Sequence, residues 1–236
     1  MKTKITPGRT GLLAVISAAA LGLWGIPTAK AQPKPGGLFA PPNVGAPKTR
    51  VGGGVRGGGE DDANHLMSMP VVFVLTPEST GYTVSESPTL YYYVTDDTSF
   101  EFEITVNRDE RTLVQMRRWE NIKAGMHGIS LDDLGIKLEE GADYEWNVAL
   151  IPNPLQGSLD ITSTGGIRRI KPKEPMKDFN DYGKNGIWYD MLQDLTEKIT
   201  VDPNNKGLLK ERGDLFKQVG LPEVADLDYA AAKIKG

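Results

Sequence analysis

Leu138-Glu-Glu-Gly-Ala-Asp-Tyr-Glu-Trp-Asn-Val148 is the stretch on which the reading of the fold turns. Its second half alternates. Tyr144, Trp146 and Val148 can face a core while Glu145 and Asn147 face away, which is the period of two that a half-buried strand requires. Leu138 adds an apolar residue ahead of it. Gly141 stands where a tight corner calls for a backbone without a Cβ. The pattern predicts a strand anchored at its start by Tyr144, with the hydroxyl bonding the backbone upstream.

Short strands lie on both sides of this anchor. Val71-Val-Phe-Val-Leu75 is a continuous apolar run, as in a strand buried on both faces. Pro88 introduces Thr89–Val94. Phe100, Phe102, Ile104 and Val106 alternate with Glu101, Glu103 and Thr105 in the clearest half-buried pattern of the chain. Arg108-Asp-Glu-Arg111 reads as a hairpin tip from which Thr112–Trp119 returns. Gly125–Leu131, Leu159–Ser163 and Gly166–Ile170 complete the set. Many short strands without an interleaved helix predict two sheets packed face to face. A tyrosine opening a late strand, behind a Leu and a Gly, adds the tyrosine corner of immunoglobulin-like and fibronectin-like sandwiches. Residues 66–171 are therefore expected to be an immunoglobulin/fibronectin-like β-sandwich, in a mainly β chain with C-terminal α structure.

Pro172 and Pro175 close that region, and 172–236 is expected to be a helical hairpin and tail. Phe179, Tyr182, Ile187, Met191, Leu192 and Leu195 recur at helical spacing, with Gly183 and Gly186 weakening the early part. Asp202-Pro203 reads as an N-cap followed by Pro at the first helical position. Leu208, Leu209, Leu215, Phe216 and Val219 give the second apolar face, ended by Gly220. Leu221-Pro222 begins a short third piece.

The N-terminal residues have the form of a secretory leader. Lys2, Lys4 and Arg9 precede a mostly apolar Leu12–Ile26, and Ala29-Lys30-Ala31 fits a cleavage site. The expected cleavage follows Ala31 and places the chain in a periplasm or outside the cell, with no integral membrane segment afterwards. From Gln32 onward 23 basic residues face 31 acidic ones, so a nucleic-acid partner is not expected. The chain has no Cys, so neither disulfides nor a lipid-modified Cys can form. Residues 32–65 hold five Pro and nine Gly and read as an extended segment. Gly52, Gly54 and Gly57 formally match G-x-G-x-x-G, but no strand precedes them and no helix follows. The tract reads as flexible glycine, or as a segment that Arg50 and Arg56 clip to the acidic body.

An ordered series of motifs spans the chain: Pro41-Pro42…Gly45-Ala-Pro47, Arg50-x-Gly-Gly-Gly-x-Arg56-Gly57, Pro88-Thr-Leu-Tyr-Tyr-Tyr93, Leu138-x-x-Gly-x-x-Tyr144-x-Trp146, Gly166-Ile-Arg168-Arg169 and Gly186-Ile-Trp-Tyr-Asp190. Over residues 41 to 228 this series resembles the DUF928 family of uncharacterised exported bacterial proteins, common in cyanobacteria. The resemblance implies no activity, cofactor or catalytic residue. One departure stands out: where the family pattern leads one to expect an aromatic in the second helix, this chain has Glu211-Arg212.

The side chains carry little chemistry of their own. With no Cys, and with His65 and His127 in separate segments, no metal site or cofactor is expected. Asp202-x-Asn204-x-Lys206-Gly207 echoes a calcium loop but has Gly213 at the twelfth position. No G-x-S-x-G occurs, and Ser130 is expected on the strand face opposite His127. Glu101 and Glu103 share a face that is expected to meet solvent. Of the rings, Tyr92 and Trp119 are the two candidates for exposure, with Tyr91, Tyr93, Trp146 and Trp188 expected in the core. Arg168 and Arg169 fall on opposite faces of a strand. They can clamp the helices through Asp178, Asp181 or Asp190, or dock an acidic partner.

The reading that follows is an exported, non-enzymatic module that contacts a protein partner through a sheet edge or through Tyr92 and Trp119. A glycan- or cell-wall-binding sandwich is the alternative, and an unrecognised hydrolase a third.

Overall fold

The computed structural model describes residues 37–42, 51–55, 69–172 and 174–233. The expected leader 1–31, Arg50, Arg56 and His65 lie outside the described residues. The chain is mainly β, with its helices at the C-terminal end. The strands are β1 (Val51–Val55), β2 (Val72–Val74), β3 (Gly81–Thr83), β4 (Thr89–Val94), β5 (Glu101–Arg108), β6 (Arg111–Trp119), β7 (Gly125–Ser130), β8 (Asp143–Ile151) and β9 (Ile161–Arg169). They form two sheets. The larger runs β1-β9-β8-β5-β6, with β3 also beside β9, and the smaller runs β2-β4-β7. The helices are α1 (Phe179–Lys184), α2 (Trp188–Val201), α3 (Lys206–Gln218) and α4 (Pro222–Ala231).

β8 lies in the middle of the larger sheet, and its alternation is the predicted one. Tyr144, Trp146, Val148 and Leu150 are buried. Trp146, Val148 and Leu150 lie opposite Val106, Ile104 and Phe102 of β5. The Tyr144 hydroxyl accepts a 2.9 Å hydrogen bond from the Glu139 N–H, the predicted upstream bond. Gly141 takes φ +80°, a value that penalises any residue with a Cβ, and donates its N–H to the Arg169 carbonyl at 2.8 Å. Across the sheets, the Tyr92 ring stacks on Phe102 with centroids 5.2 Å apart. Val74 N–H donates to Ser163 Oγ at 3.0 Å.

Several expectations change. The two strands expected over 159–170 are one continuous strand, β9. The glycine tract is not wholly a flexible linker, because Val51–Val55 pairs antiparallel with β9. Glycine keeps both backbone groups for such a ladder, and β9 has an edge to offer there. Residues 37–42 also join the body. Phe39 is buried edge-on to Trp188 at 5.1 Å, and the Ala40 N–H bonds the Gly183 carbonyl at 3.0 Å.

Among the described residues the helical region holds four helices. The first pattern breaks at Gly186, φ +70°, into α1 and α2. Asp202 closes α2, and Asn205 is the N-cap of α3, accepting from Leu208 N–H at 3.2 Å. The predicted Asp202-Pro203 start is thus displaced by three residues, because α2 runs on to Val201. Arg212 forms a two-pronged pair with Asp228 at 2.8 and 2.6 Å that joins α3 to α4.

Candidate functional site

The exposed chemistry collects along β6 and at the end of the larger sheet where β5 begins and β6 and β8 finish. β6 is the terminal strand of that sheet, so its outer row of backbone N–H and C=O groups has no strand beside it among the described residues. Seven of its nine side chains are exposed and the other two, Val114 and Met116, are half-buried, because β5 is its one strand neighbour among the described residues. A bulge at Leu113 lifts that side chain outward to 47% exposure. At the far end Trp119 is 64% exposed, in one row with Glu101 and Ile151.

The β8–β9 loop comes from the same end. Leu155 is 96% exposed at its tip, held by a hydrogen bond from its N–H to Asn153 Oδ1 at 3.0 Å. Asp160, where the loop enters β9, is pushed above the usual carboxylate range by burial; Arg117 opposes this, while Glu103 and Glu101 reinforce it. Its Oδ1 has no hydrogen-bond partner. Glu103 is not solvated as expected, since Arg117 and Gln115 both bond its Oε2. Between the segment entering β5 and the one leaving β6, an open depression of about 350 Å³ is lined by Asp97, Thr98, Ser99, Asn121, Ile122 and Lys123. The Lys123 ammonium, with the Ala124 N–H, holds the Asp97 carboxyl below its usual range.

Tyr92 is not at this surface. It is 2% exposed, between Phe102 and the His127 ring, each 5.2 Å away. Burial pushes its hydroxyl pKa to about 12. Tyr92 fails as a candidate for exposure because β4 is covered on both faces. Tyr92 points at the larger sheet. On the opposite side of β4, Tyr91 and Tyr93 are also buried, and Gln193 of α2 reaches the Thr89 backbone.

Arg168 and Arg169 do not clamp the helices. Arg168 pairs with Asp143, directly opposite it on β8, through a 2.7 Å Nε contact and a second close contact. Arg169 donates to the Leu138 carbonyl at 3.0 Å and approaches Glu86 at 3.8 Å. Strand register puts these acids nearer than those of the helices. Asp178 caps α1, Asp181 accepts from the Lys177 N–H, and Asp190 accepts from the Val84 N–H at 3.1 Å. The helices are tied instead by the Gly186–Asp190 motif. Trp188 Nε1 donates to the Leu75 carbonyl at 2.9 Å. The Tyr189 hydroxyl donates to the Gly166 carbonyl and accepts from Trp146 Nε1.

His127 Nε2 lies 2.7 Å from the Lys123 carbonyl, and Ser130 Oγ accepts from the Asp132 N–H at 3.1 Å. Among the described residues no group of three or more His, Asp or Glu is placed to hold a metal ion, and no helix is long and apolar enough to cross a membrane. The sequence reading missed Leu113 and Leu155. An apolar residue between Pro154 and Gln156-Gly157, in a turn that cannot bury it, was the available signal for the second.

A model of a family described as a domain of unknown function, DUF928, matches residues 51–228. No curated protein matches the chain. Among solved structures it is similar to an engineered protein from the Northeast Structural Genomics Consortium, at 13% identity and a TM-score of 0.29. That match covers 44% of this chain and 21% of the other.

Proposed function

We propose that this chain, which belongs to the DUF928 family, is an exported, non-enzymatic interaction module that takes up a partner protein by strand addition to β6. The observation that carries this is the free edge of β6. It offers nine residues of ladder, with exposed apolar side chains at Leu113 and Trp119. Strand addition draws affinity from the unpaired backbone and specificity from side chains on alternate positions. The immunoglobulin/fibronectin-like sandwich belongs to the same reading. It is supported by the Tyr144 corner and by the contact of Tyr92 with Phe102 between the sheets.

Glycan binding fits less well. A sugar platform needs a row of exposed rings, and burial of Tyr92 leaves Trp119 as the one large exposed ring among the described residues. The test is a photo-crosslinking side chain placed at Gln115 on β6 or at Val201 at the end of α2, in the full chain expressed in its native cell. The reading expects export, and one saturable protein adduct from Gln115 that Val201 does not give. Equal adducts from both positions, or none from either, would remove it.

A further inference from the structure

We propose that the strand added to β6 is an acidic one: an extended segment of a partner protein with Asp or Glu at positions facing the β6 arginines. This rests on the strand-addition reading and specifies its ligand. β6 reads Arg-Thr-Leu-Val-Gln-Met-Arg-Arg-Trp, three basic residues and no acid, in a chain whose net charge is −4. The edge is therefore a positive line on a negative body.

Its arginines keep donors to spare. Glu103 takes the Nε of Arg117, and Glu120 takes the Nε of Arg118 at 2.7 Å. The two side chains remain 47% and 43% exposed, and a guanidinium carries five N–H donors. Arg111 is exposed and has no ion pair among the described residues. Arg117 and Arg118 are consecutive, so they address opposite faces of the sheet: Arg117 faces outward, and Arg118 lies over the Phe102 ring on the inner side. Leu113 and Trp119 lie six positions apart, about 20 Å along a strand, which sets a ligand of about six to nine residues. The other free edges suit an added strand less well. β1 has three glycines in five residues, β2 and β3 have three residues each, and β7 has two glycines in six.

The experiment is selection of a random nine-residue peptide display library on the intact mature protein, followed by titration of the enriched peptides by fluorescence anisotropy. The proposal expects enriched peptides with acids at alternate positions. Their affinity should fall at least tenfold for Arg111→Glu and for Arg117→Gln, and fall further as salt is raised. Arg111→Glu is fully informative about charge because no internal pair is lost with it. Enriched peptides without acids, still competing at β6 and weakened by Trp119→Ala, would overturn the acidic ligand and leave strand addition standing. Arginines that only guard the edge against aggregation would give no β6-dependent peptide at all, and that result would overturn both.

Discussion

The indole Nε1 of Trp146, in the middle of β8, donates a 2.9 Å hydrogen bond to the hydroxyl of Tyr189 in the first turn of α2. That hydroxyl also donates to the Gly166 carbonyl at 3.0 Å and lies 3.3 Å from Thr76 Oγ1. One phenol therefore joins the helical region to β8, β9 and the chain after β2. Replacing it with Phe keeps the ring and strands the Trp146 donor in a fully buried site. Tyr189→Phe should lower unfolding stability by about 1–3 kcal/mol. Urea denaturation would measure it, and an unchanged midpoint would mean that these hydrogen bonds contribute nothing net to stability.

Alkaline stability follows from the same group. Burial raises the Tyr189 pKa from 10.0 to about 12 in the folded chain. The unfolded chain releases this proton near pH 10, and the folded chain holds it until about 12. Deprotonation thus favours unfolding, so stability is fully present below pH 10 and is lost as pH climbs toward 12. Tyr92, also near 12, adds a second group with the same sign. Thermal melts between pH 8 and 12 should show the loss, and it should be shallower in Tyr189→Phe.

Arg212 and Asp228 form the least exposed ion pair described, with Asp228 at 5% exposure. Arg212→Met should cost about 3–5 kcal/mol, because it leaves a buried carboxylate without its cation. Arg212→Met with Asp228→Leu should recover most of that. If the double variant is as unstable as the single one, the pair is not what joins α3 to α4.

Two aromatic residues expected to behave alike on the sequence should now behave oppositely. Tyr92→Ala opens a cavity between Phe102 and His127 and should cost about 3–5 kcal/mol. Trp119→Ala removes an exposed ring and should change stability by no more than about 0.5 kcal/mol. Chemical denaturation of both variants decides it.

The contrast between these two rings shows what a sequence can disclose. Alternation along β8 and β5 identified the core faces, since a residue's neighbours two positions away share its side of the strand. Tyr144 and Gly141 could be placed because a corner imposes local geometry. Tyr92 could not. Alternation separates it from Tyr91 and Tyr93 but does not say that both faces of β4 are covered; that depends on a sheet and a helix supplied by distant residues. Arg168 likewise pairs with Asp143 because of strand register, which no local pattern displays. Trp119 was legible because it ends a strand whose apolar pattern had already faded. The edge position of β6, from which the candidate site arises, is a property of the order of strands and is written in no single segment.

Phe39 is seated by parts of the chain far from it. Its backbone N–H donates to Gln218 Oε1 at 3.2 Å, and its carbonyl accepts from Gln218 Nε2. Gly186 leaves room for the next residue, where a Cβ would come within 2.6 Å of the Ala40 carbonyl. During synthesis Phe39 emerges well over a hundred residues before Trp188 and Gln218 exist, and closing so long a loop must wait for both. A segment made early is thus seated late: a chain truncated before Gln218 lacks the side chain that bonds both backbone groups of Phe39.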